Sequence, residues 1–422
     1  MKLLLLAVLG ACLVGAAPAS AGNRWLDAGV MNMAHQGGED EFPSNTMYSF
    51  RKAVALGADM LELDVSPTKD GRLVVMHDWE VDRTTNGTGY LTDLTLAQVR
   101  KLDAAYNFVP GRNAVSGLPA SSYPLRGVRT GDRMPPKGFK PADFRVPTLR
   151  EVLKAFPRTP INIEIKGRDD AEAHFLHNAD LLAALLKGTH RRDLIVVSFN
   201  QKAVDRFHAQ VPQVDVAPGV DGIAGFLLGG ARPGPGTVAL QIPITYQTGG
   251  QTLTVTTPES VLQTHRAGYA VHVWLSNDEE NAGVYNRLLS MCVDGIMAAK
   301  PKLLERRLRA RNVVRPDGHG TDPCSARASS ASVKNGSLAV ALERRGNEPR
   351  AYKGVVRVKA RGKLLGHESF SLGKDAGAGG VTVPLSAAGR KLLKHGPVRA
   401  RVLVTTRGAR GEPVVTRLRL HR

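Results

Sequence analysis

Two histidines and two carboxylates in the first quarter of the chain have the types and spacing of an acid–base site. Glu62 and Asp64 stand two residues apart in the apolar stretch 60–65, so on a strand their side chains project from the same face. Carboxylates of like charge repel, and a hard cation with oxygen ligands is the usual partner that neutralises them. His35 and His77 could supply an acid and a base beside such a cation near neutral pH.

Eight short apolar segments between residues 28 and 312 provide strands that could position these groups. Amphipathic helical patterns separate nearly all of them, and eight strand–helix alternations are typical of an α/β fold, the (β/α)8 TIM barrel. The predicted strands are residues 30–35, 60–65, 161–166, 194–199, 214–219, 238–242, 270–275 and 293–298.

A barrel of this kind carries its chemistry at the C-terminal ends of its strands, so polar residues there are candidates for a site. Lys166 could neutralise a phosphate or pair with the acids, and Trp274 could cover a substrate or fill the barrel top. His272 is interpreted as structural. The residues at or near strand ends are His35, Glu62, Asp64, Glu164, Lys166 and Trp274, whereas His190, His208 and His265 are predicted at the surface.

Two insertions are predicted in the barrel. The apolar run 73–77 follows the second strand after only residues 66–72, too few for a parallel crossover. Residues 65–78 are therefore predicted to form a hairpin that turns at 69–71 and returns His77 to a position beside Asp64. Residues 104–145 are rich in Pro, Gly, Arg and Ser, and are predicted to form a substrate lid over the same mouth.

The pattern changes near residue 315, which predicts a second domain. The chain has 422 residues, of which 42% are hydrophobic, enough for two domains. Residues 22–314 are assigned to the barrel domain and 315–332 to a linker. Residues 333–422 alternate apolar and polar side chains in short segments, a pattern typical of a small all-β sandwich.

The positive charge is concentrated in this second domain. The chain has a net charge of +19, and residues 321–422 contribute +15 from 21 Lys and Arg against 6 Asp and Glu. In an exported protein such charge predicts attraction to an anionic envelope polymer or a membrane surface. A basic surface that only keeps the protein in solution explains the charge equally well. No nucleic-acid motif accompanies it, so nucleic acid is not expected.

Residues 1–21 have the pattern of a secretory signal peptide, which predicts a secreted, extracellular protein. Lys2 precedes an apolar run, and the small residues 19–21 form a cleavage site before Gly22. Cys12 offers a less favoured lipoprotein interpretation. No later segment has a transmembrane pattern.

Cleavage would leave two cysteines, Cys292 and Cys324. Export makes a disulfide between them plausible, and it would tie the two domains together at their junction. The alternative is two unpaired thiols, one of them buried.

Many short motifs between residues 28 and 305 resemble those of the glycerophosphodiester phosphodiesterase family, and they follow one another in the family's order. The resemblance implies a barrel, a divalent cation (Ca²⁺ or Mg²⁺) and hydrolysis of glycerophosphodiesters to glycerol 3-phosphate and an alcohol. The segments that carry it are residues 34–37, 45–46, 57–65, 68–71, 74–78, 83–89, 147–149, 164–166, 198–199, 273–274 and 293–296.

The resemblance also implies roles for individual residues. It places the catalytic histidines on His35 and His77. The residues implied as metal ligands are Glu62, Asp64 and Glu164, and those implied in substrate binding are Lys166, Trp274 and Gln36.

Two positions depart from the family pattern. Gln36 stands where the family usually has arginine after the first histidine, and it brings no charge to a phosphate. Ser44 stands where the family usually has glutamate before Asn-Thr, and the acids at 39–41 could compensate. Two alternatives stay open: hydrolysis of an anionic envelope polymer (teichoic acid) or of a lysophospholipid, and a non-catalytic envelope-binding barrel.

Overall fold

A computed structural model describes residues 22–168 and 171–421, so the predicted signal peptide lies outside the described residues. The strands of the first domain are β1 (Met31–Ala34), β2 (Met60–Pro67), β3 (Leu73–Val75), β4 (Ile161–Ile165), β5 (Leu194–Val197), β6 (Asp215–Val216), β7 (Ala239–Pro243), β8 (Thr245–Thr248), β9 (Gln251–Thr254), β10 (Ala270–Trp274) and β11 (Gly295–Ala298).

Helices follow these strands, and α2 shows why they form. Thr46 caps α2 by accepting a hydrogen bond from the backbone N–H of Ser49, and Gly57 ends it in the left-handed conformation. Among the described residues, no helix is both long and apolar enough for a bilayer span. The helices are α1 (Arg24–Asp27), α2 (Met47–Leu56), α3 (Leu96–Val99), α4 (Leu149–Ala155), α5 (Glu172–Leu186), α6 (Gln201–Gln210), α7 (Val220–Gly229), α8 (Pro258–Arg266), α9 (Ala282–Ser290) and α10 (Pro301–Ala310).

Eight of the strands form a parallel barrel, which confirms the predicted fold. Neighbouring strands follow the order β6-β5-β4-β2-β1-β11-β10-β7. Val216 at the end of β6 closes the ring through a parallel bridge to Thr237, just before β7. Each apolar segment chosen from the sequence overlaps one barrel strand.

Alternation along β2 sets the two faces of the barrel wall. Leu61, Leu63 and Val65 pack outward in a cluster with side chains of the surrounding helices. Glu62 and Asp64 therefore face the barrel interior, as the period of two requires. Below them the interior is filled by a separate apolar cluster that includes Met33, Met60, Met297 and Trp25.

The predicted hairpin is present. β3 pairs antiparallel with β2, with Val65 opposite Val75, and Gly71 adopts a positive φ at the turn. Residues 104–145 form a largely irregular insertion, in which Phe144 stacks on Tyr48 of α2. Residues 104–145 do not line the cavity at the C-terminal end of the barrel, so the prediction that they form a lid over it was wrong. The hairpin of β8 and β9, which was not predicted, lines that cavity instead.

The second domain is a sandwich of two antiparallel sheets, as predicted. β12, β13 and β16 form one sheet in that order, and β15, β14, β17 and β18 form the other. Apolar side chains from both sheets share one buried cluster. Its elements are β12 (Ala326–Lys334), β13 (Ser337–Arg344), β14 (Tyr352–Ala360), β15 (Lys363–Leu372), β16 (Ala378–Pro384), α11 (Ala387–Leu393), β17 (Val398–Thr406) and β18 (Val414–Leu420).

The connection between the domains is shorter and more buried than the predicted linker 315–332. β12 already begins at Ala326, and Thr321 and Asp322 are buried. The disulfide between Cys292 and Cys324 is present, with their Cα atoms 5.7 Å apart. It joins the loop before β11 to the start of the second domain, at the junction where it was expected.

A buried charge network also joins the domains. Arg410 of the second domain donates to buried Asp294 at 2.6 Å, and Nε2 of His265 lies 2.8 Å from the other oxygen of that carboxylate. Nδ1 of His265 lies 3.4 Å from Glu348 of the second domain. The prediction that His265 is a surface residue was therefore wrong, because its helix faces the second domain.

The junction predicts a pH-dependent stability. Burial disfavours the imidazolium form of His265, but Asp294 and Glu348 outweigh burial and raise its pKa to about 9. Because the unfolded pKa is about 6.5, this stabilisation is complete below pH 6.5 and is lost as the pH rises through 9. We predict that His265→Gln lowers the free energy of unfolding by about 3 kcal/mol at pH 6 and by little at pH 10. Chemical denaturation of both proteins across this range measures it, and parallel pH profiles would contradict it.

Candidate active site

Three carboxylates from neighbouring strands converge at the C-terminal end of the barrel. β2 and β4 pair in parallel register with Asp64 opposite Glu164, and Glu62 precedes Asp64 by two residues on the same face. One oxygen from each of the three lies within 4.8 Å of the others. Glu62 and Asp64 are buried and Glu164 is half-buried. Such a cluster needs positive charge to remain ionised.

Lys166 supplies part of that charge. Its ammonium group lies 2.8 Å from Glu164 and 3.3 Å from Asp64. Burial opposes ionisation of Asp64, but Lys166 and His77 hold its pKa below the ordinary value. In contrast, burial and the charge of Asp64 raise the pKa of Glu62 to about 8. One lysine therefore neutralises the cluster only in part.

The remaining donor set suits a hard divalent cation. Within residues 22–168 and 171–421, the buried Oδ1 of Asp64 accepts no hydrogen bond and has only the ion-pair contact with Lys166 at 3.3 Å, while Oδ2 accepts from the amide of Asn45 at 2.9 Å. Three carboxylates offer only oxygen ligands, which calcium and magnesium prefer and which zinc usually does not. Glu62, Asp64 and Glu164 could thus hold Ca²⁺ or Mg²⁺.

His35 lies directly after β1 in a tight turn beside this cluster. Its Nδ1 bonds Oε1 of Glu39, and its Nε2 lies 3.9 Å from Oε2 of Glu62. Burial disfavours the imidazolium, but Glu39 and Glu62 raise the pKa of His35 well above its ordinary value. Gly37 in this turn has φ +82°, and a Cβ there would clash with the Ser49 side chain, so α2 packs directly against the turn.

His77 reaches the same cavity from the end of the inserted hairpin. Its Nδ1 lies 2.8 Å from Oδ1 of Asp78, and Arg83 donates two hydrogen bonds to that carboxylate. Arg83 and His77 lower the pKa of Asp78 to about 2 against the effect of burial. Each histidine is thus oriented through Nδ1 by a carboxylate, and within the described residues neither Nε2 makes a hydrogen bond.

The two departures from the family pattern are in contact with each other. The Ser44 hydroxyl donates to Oε1 of Gln36 at 2.6 Å, so a neutral pair occupies both positions. Gln36 is buried and its backbone N–H donates to Glu62, but it is not part of the cavity wall. Gln36 therefore holds Glu62 through its backbone N–H, and its side chain does not line the cavity.

A cavity of about 760 Å³ opens over these groups. Its polar end is lined by His35, Glu62, His77, Glu164 and Lys166. The structure thus brings together both predicted histidines, the predicted acids and Lys166. Trp274 joins them on the cavity wall, where its ring centroid lies 5.7 Å from that of Phe199.

Neither Asn45 nor Asp78 was predicted as a site residue, although both lie in motifs that carried the resemblance; Asn45 was expected to cap α2, a position that Thr46 takes. Asn45 holds Asp64, and Asp78 orients His77. Glu39 was considered only as a replacement for a missing acid; it pairs with His35 instead. Asp40 lies 3.3 Å from Lys300, and Glu41 accepts from the N–H of Lys302.

The sequence model of the glycerophosphoryl diester phosphodiesterase family matches residues 35–303, which include every group of this site. The chain belongs to this family. It is accordingly an enzyme that hydrolyses glycerophosphodiesters. The matched region ends before the second domain.

Individual relatives agree with this membership. A glycerophosphodiester phosphodiesterase of Bacillus subtilis (strain 168) is 30% identical over 299 residues, which cover 68% of this chain and 89% of the relative. Glycerophosphodiester phosphodiesterase 1 of Homo sapiens is 52% identical over 78 residues, 18% of this chain and 24% of the relative. A crystal structure from Silicibacter pomeroyi DSS-3, assigned to the same activity, supports the fold with a TM-score of 0.51 at 18% identity, over 68% of this chain and 98% of that one.

Asp78 is predicted to be a positioning residue. We expect Asp78→Asn to lower kcat about 100-fold with little change in KM, because the amide no longer fixes the His77 imidazole as a carboxylate does. Steady-state kinetics on glycerophosphocholine measures both parameters. Asp132→Asn, at an exposed acid of the insertion, is the matched control and should behave as the wild type. An unchanged kcat in Asp78→Asn would refute the role.

Proposed function

We propose that the protein is a secreted, metal-dependent glycerophosphodiester phosphodiesterase that uses His35 and His77 in acid–base catalysis. The observation that carries the proposal is the shared wall: Glu62, Glu164, Lys166 and the two carboxylate-oriented histidines line one cavity, and Asp64 lies directly behind the two acids in the same cluster. Glu62, Asp64 and Glu164 would hold Ca²⁺ or Mg²⁺. A cation bound there would act as a Lewis acid on the phosphate oxygens and offset the charge that develops in the transition state.

The chain's own residues have separable tasks in this mechanism. Lys166 contacts the phosphate through its ammonium group, since it already lies at the boundary between the acids and the cavity. One histidine removes the proton from the attacking hydroxyl, and the other protonates the oxygen of the departing alcohol. The attacking oxygen is the substrate's own glycerol hydroxyl, whose bond to phosphorus forms as the P–O bond to the alcohol breaks, and the product of this step is a cyclic glycerol phosphate. Water then opens the ring by breaking one of its P–O bonds, which leaves glycerol 3-phosphate.

Export is proposed from the pattern of residues 1–21, and the internal disulfide is in keeping with an oxidising compartment. An exported enzyme of this family would meet its substrates in the cell envelope or outside it. The basic second domain then provides a surface for anionic partners there.

A second candidate substrate is a lysophospholipid, and the apolar part of the cavity favours it. Beyond Trp274 and Phe199 the wall is formed by Ile223 and Leu227 of α7 and by Leu253 of β9. Leu228 at the rim is 83% exposed. A small polar diester leaves this wall in water, whereas a single acyl chain would cover it.

The catalytic proposal predicts that His35→Ala and His77→Ala each lose about 10²–10⁴-fold in kcat toward glycerophosphocholine, since each removes one proton-transfer step. The assay contains Ca²⁺ or Mg²⁺, and EDTA should abolish wild-type activity. His190→Ala, at an exposed histidine, is the matched control. Circular dichroism verifies that each variant is folded. A folded variant with full activity would remove that histidine from the mechanism.

The lysophospholipid candidate predicts a chain-length effect. Butanoyl, hexanoyl and octanoyl lysophosphatidylcholine should all have a higher kcat/KM than glycerophosphocholine, which has no acyl chain. Within the series, kcat/KM should rise about two- to fourfold for each added methylene. Leu253→Asn should flatten this rise. Leu364→Asn changes a leucine of similar exposure on the second domain, and it should leave the rise intact. Chain-independent kcat/KM in the wild type would limit the enzyme to small diesters.

A further inference from the structure

The outer face of the four-stranded sheet carries six basic side chains, most of which stand directly opposite one another on neighbouring strands. The net charge of the domain does not show this arrangement. Lys359 of β14 lies opposite Arg401 of β17, and Arg401 lies opposite Arg417 of β18. Arg399 and Arg419 are also directly opposite each other. Arg357 stands two residues before Lys359, on the same face. These six residues are called the basic face.

Each member of the basic face is exposed. Within the part of the chain that the structure describes, none of the six makes an ion pair, and the outward positions between them hold no acid. Tyr352, Val356, Val358, Ala400 and Val402 occupy the inward positions of the same strands and are buried. The sheet therefore fixes the backbone under the cations while their side chains stay in water.

Like charges on directly opposite strand positions destabilise a sheet. Neighbouring strands are about 4.8 Å apart, so the row of Lys359, Arg401 and Arg417 holds three positive charges within about 10 Å. Such an arrangement is stabilised when an anion with several charges bridges the row. Five of the six residues are arginine, whose planar guanidinium binds two phosphate oxygens at once. Diffuse attraction to a charged surface needs no such geometry, so the arginines favour a phosphate ligand.

We propose that the basic face is a binding site for a linear polymer of phosphodiester-linked polyol units. Each phosphodiester of such a polymer carries one negative charge, and the phosphodiesters recur at regular intervals, so consecutive phosphates can contact cations on neighbouring strands. Binding holds the enzyme on a polyanion and raises its effective concentration there, independently of the barrel's cavity. The outward positions carry no Phe, Tyr or Trp, and apolar side chains among them, including Leu364, Leu403 and Val415, stand between the cations and form no continuous apolar stripe, so an aromatic anchor for a lipid bilayer is absent from the described face.

The test measures binding of the full-length mature chain to synthetic poly(glycerol phosphate) by isothermal titration calorimetry. Arg401→Gln with Arg417→Gln should weaken binding at least tenfold and reduce its dependence on salt. Arg401→Lys with Arg417→Lys keeps the charge but removes bidentate contacts, and it should also weaken binding. Lys359→Gln should weaken binding, whereas Lys334→Gln, an exposed strand lysine of the other sheet, should not.

Thermal unfolding separates binding from folding in these variants. Removal of like charges from opposed positions should leave Tm equal to or above that of the wild type. The absence of polymer binding by the wild type would overturn the proposal. So would full binding by the double lysine variant, tighter binding to phosphatidylglycerol vesicles, or equal affinity for single-stranded DNA of the same charge.

Discussion

Electrostatic repulsion between three carboxylates that share the mouth of the barrel is the constraint on which the rest of the site depends. The parallel register of β2 and β4 brings Asp64 and Glu164 together, and the alternation of β2 adds Glu62. Burial makes the repulsion costly, and Lys166 offsets it only in part. The arrangement is stable in an ionised form if a divalent cation completes it, and under the proposed function the same cation would offset the charge that develops on the phosphate.

The neighbouring residues follow the same electrostatic logic. Two further carboxylates, Glu39 and Asp78, are used to orient histidines at either flank of the cluster. The neutral pair of Gln36 and Ser44 adds no charge of either sign beside Glu62. Under the proposed function, positive charge for the phosphate would come from Lys166 and a bound cation, and the two histidines would move protons.

Much of this could be predicted because it depends on local pattern. The period of two in β2 fixed which residues face inward, and the short spacing after it required a hairpin that returns His77 to the mouth. Contacts between distant segments could not be predicted in this way. His265 lies on the polar side of its helix, where it contacts Asp294 of the barrel, and only the docking of the second domain covers that histidine and adds Glu348 as its second partner. The apolar wall formed by β8, β9 and α7 likewise depends on packing between segments that carry no motif.

The most direct measurement is a crystal structure of the mature protein with Mn²⁺ in place of the physiological cation, examined by anomalous scattering. The account predicts one strong anomalous peak bonded to oxygens of Glu62, Asp64 and Glu164, and no such peak in Asp64→Asn. The account would be contradicted if, at saturating Mn²⁺, no anomalous peak lay between the three carboxylates and Lys166 remained their only cationic contact.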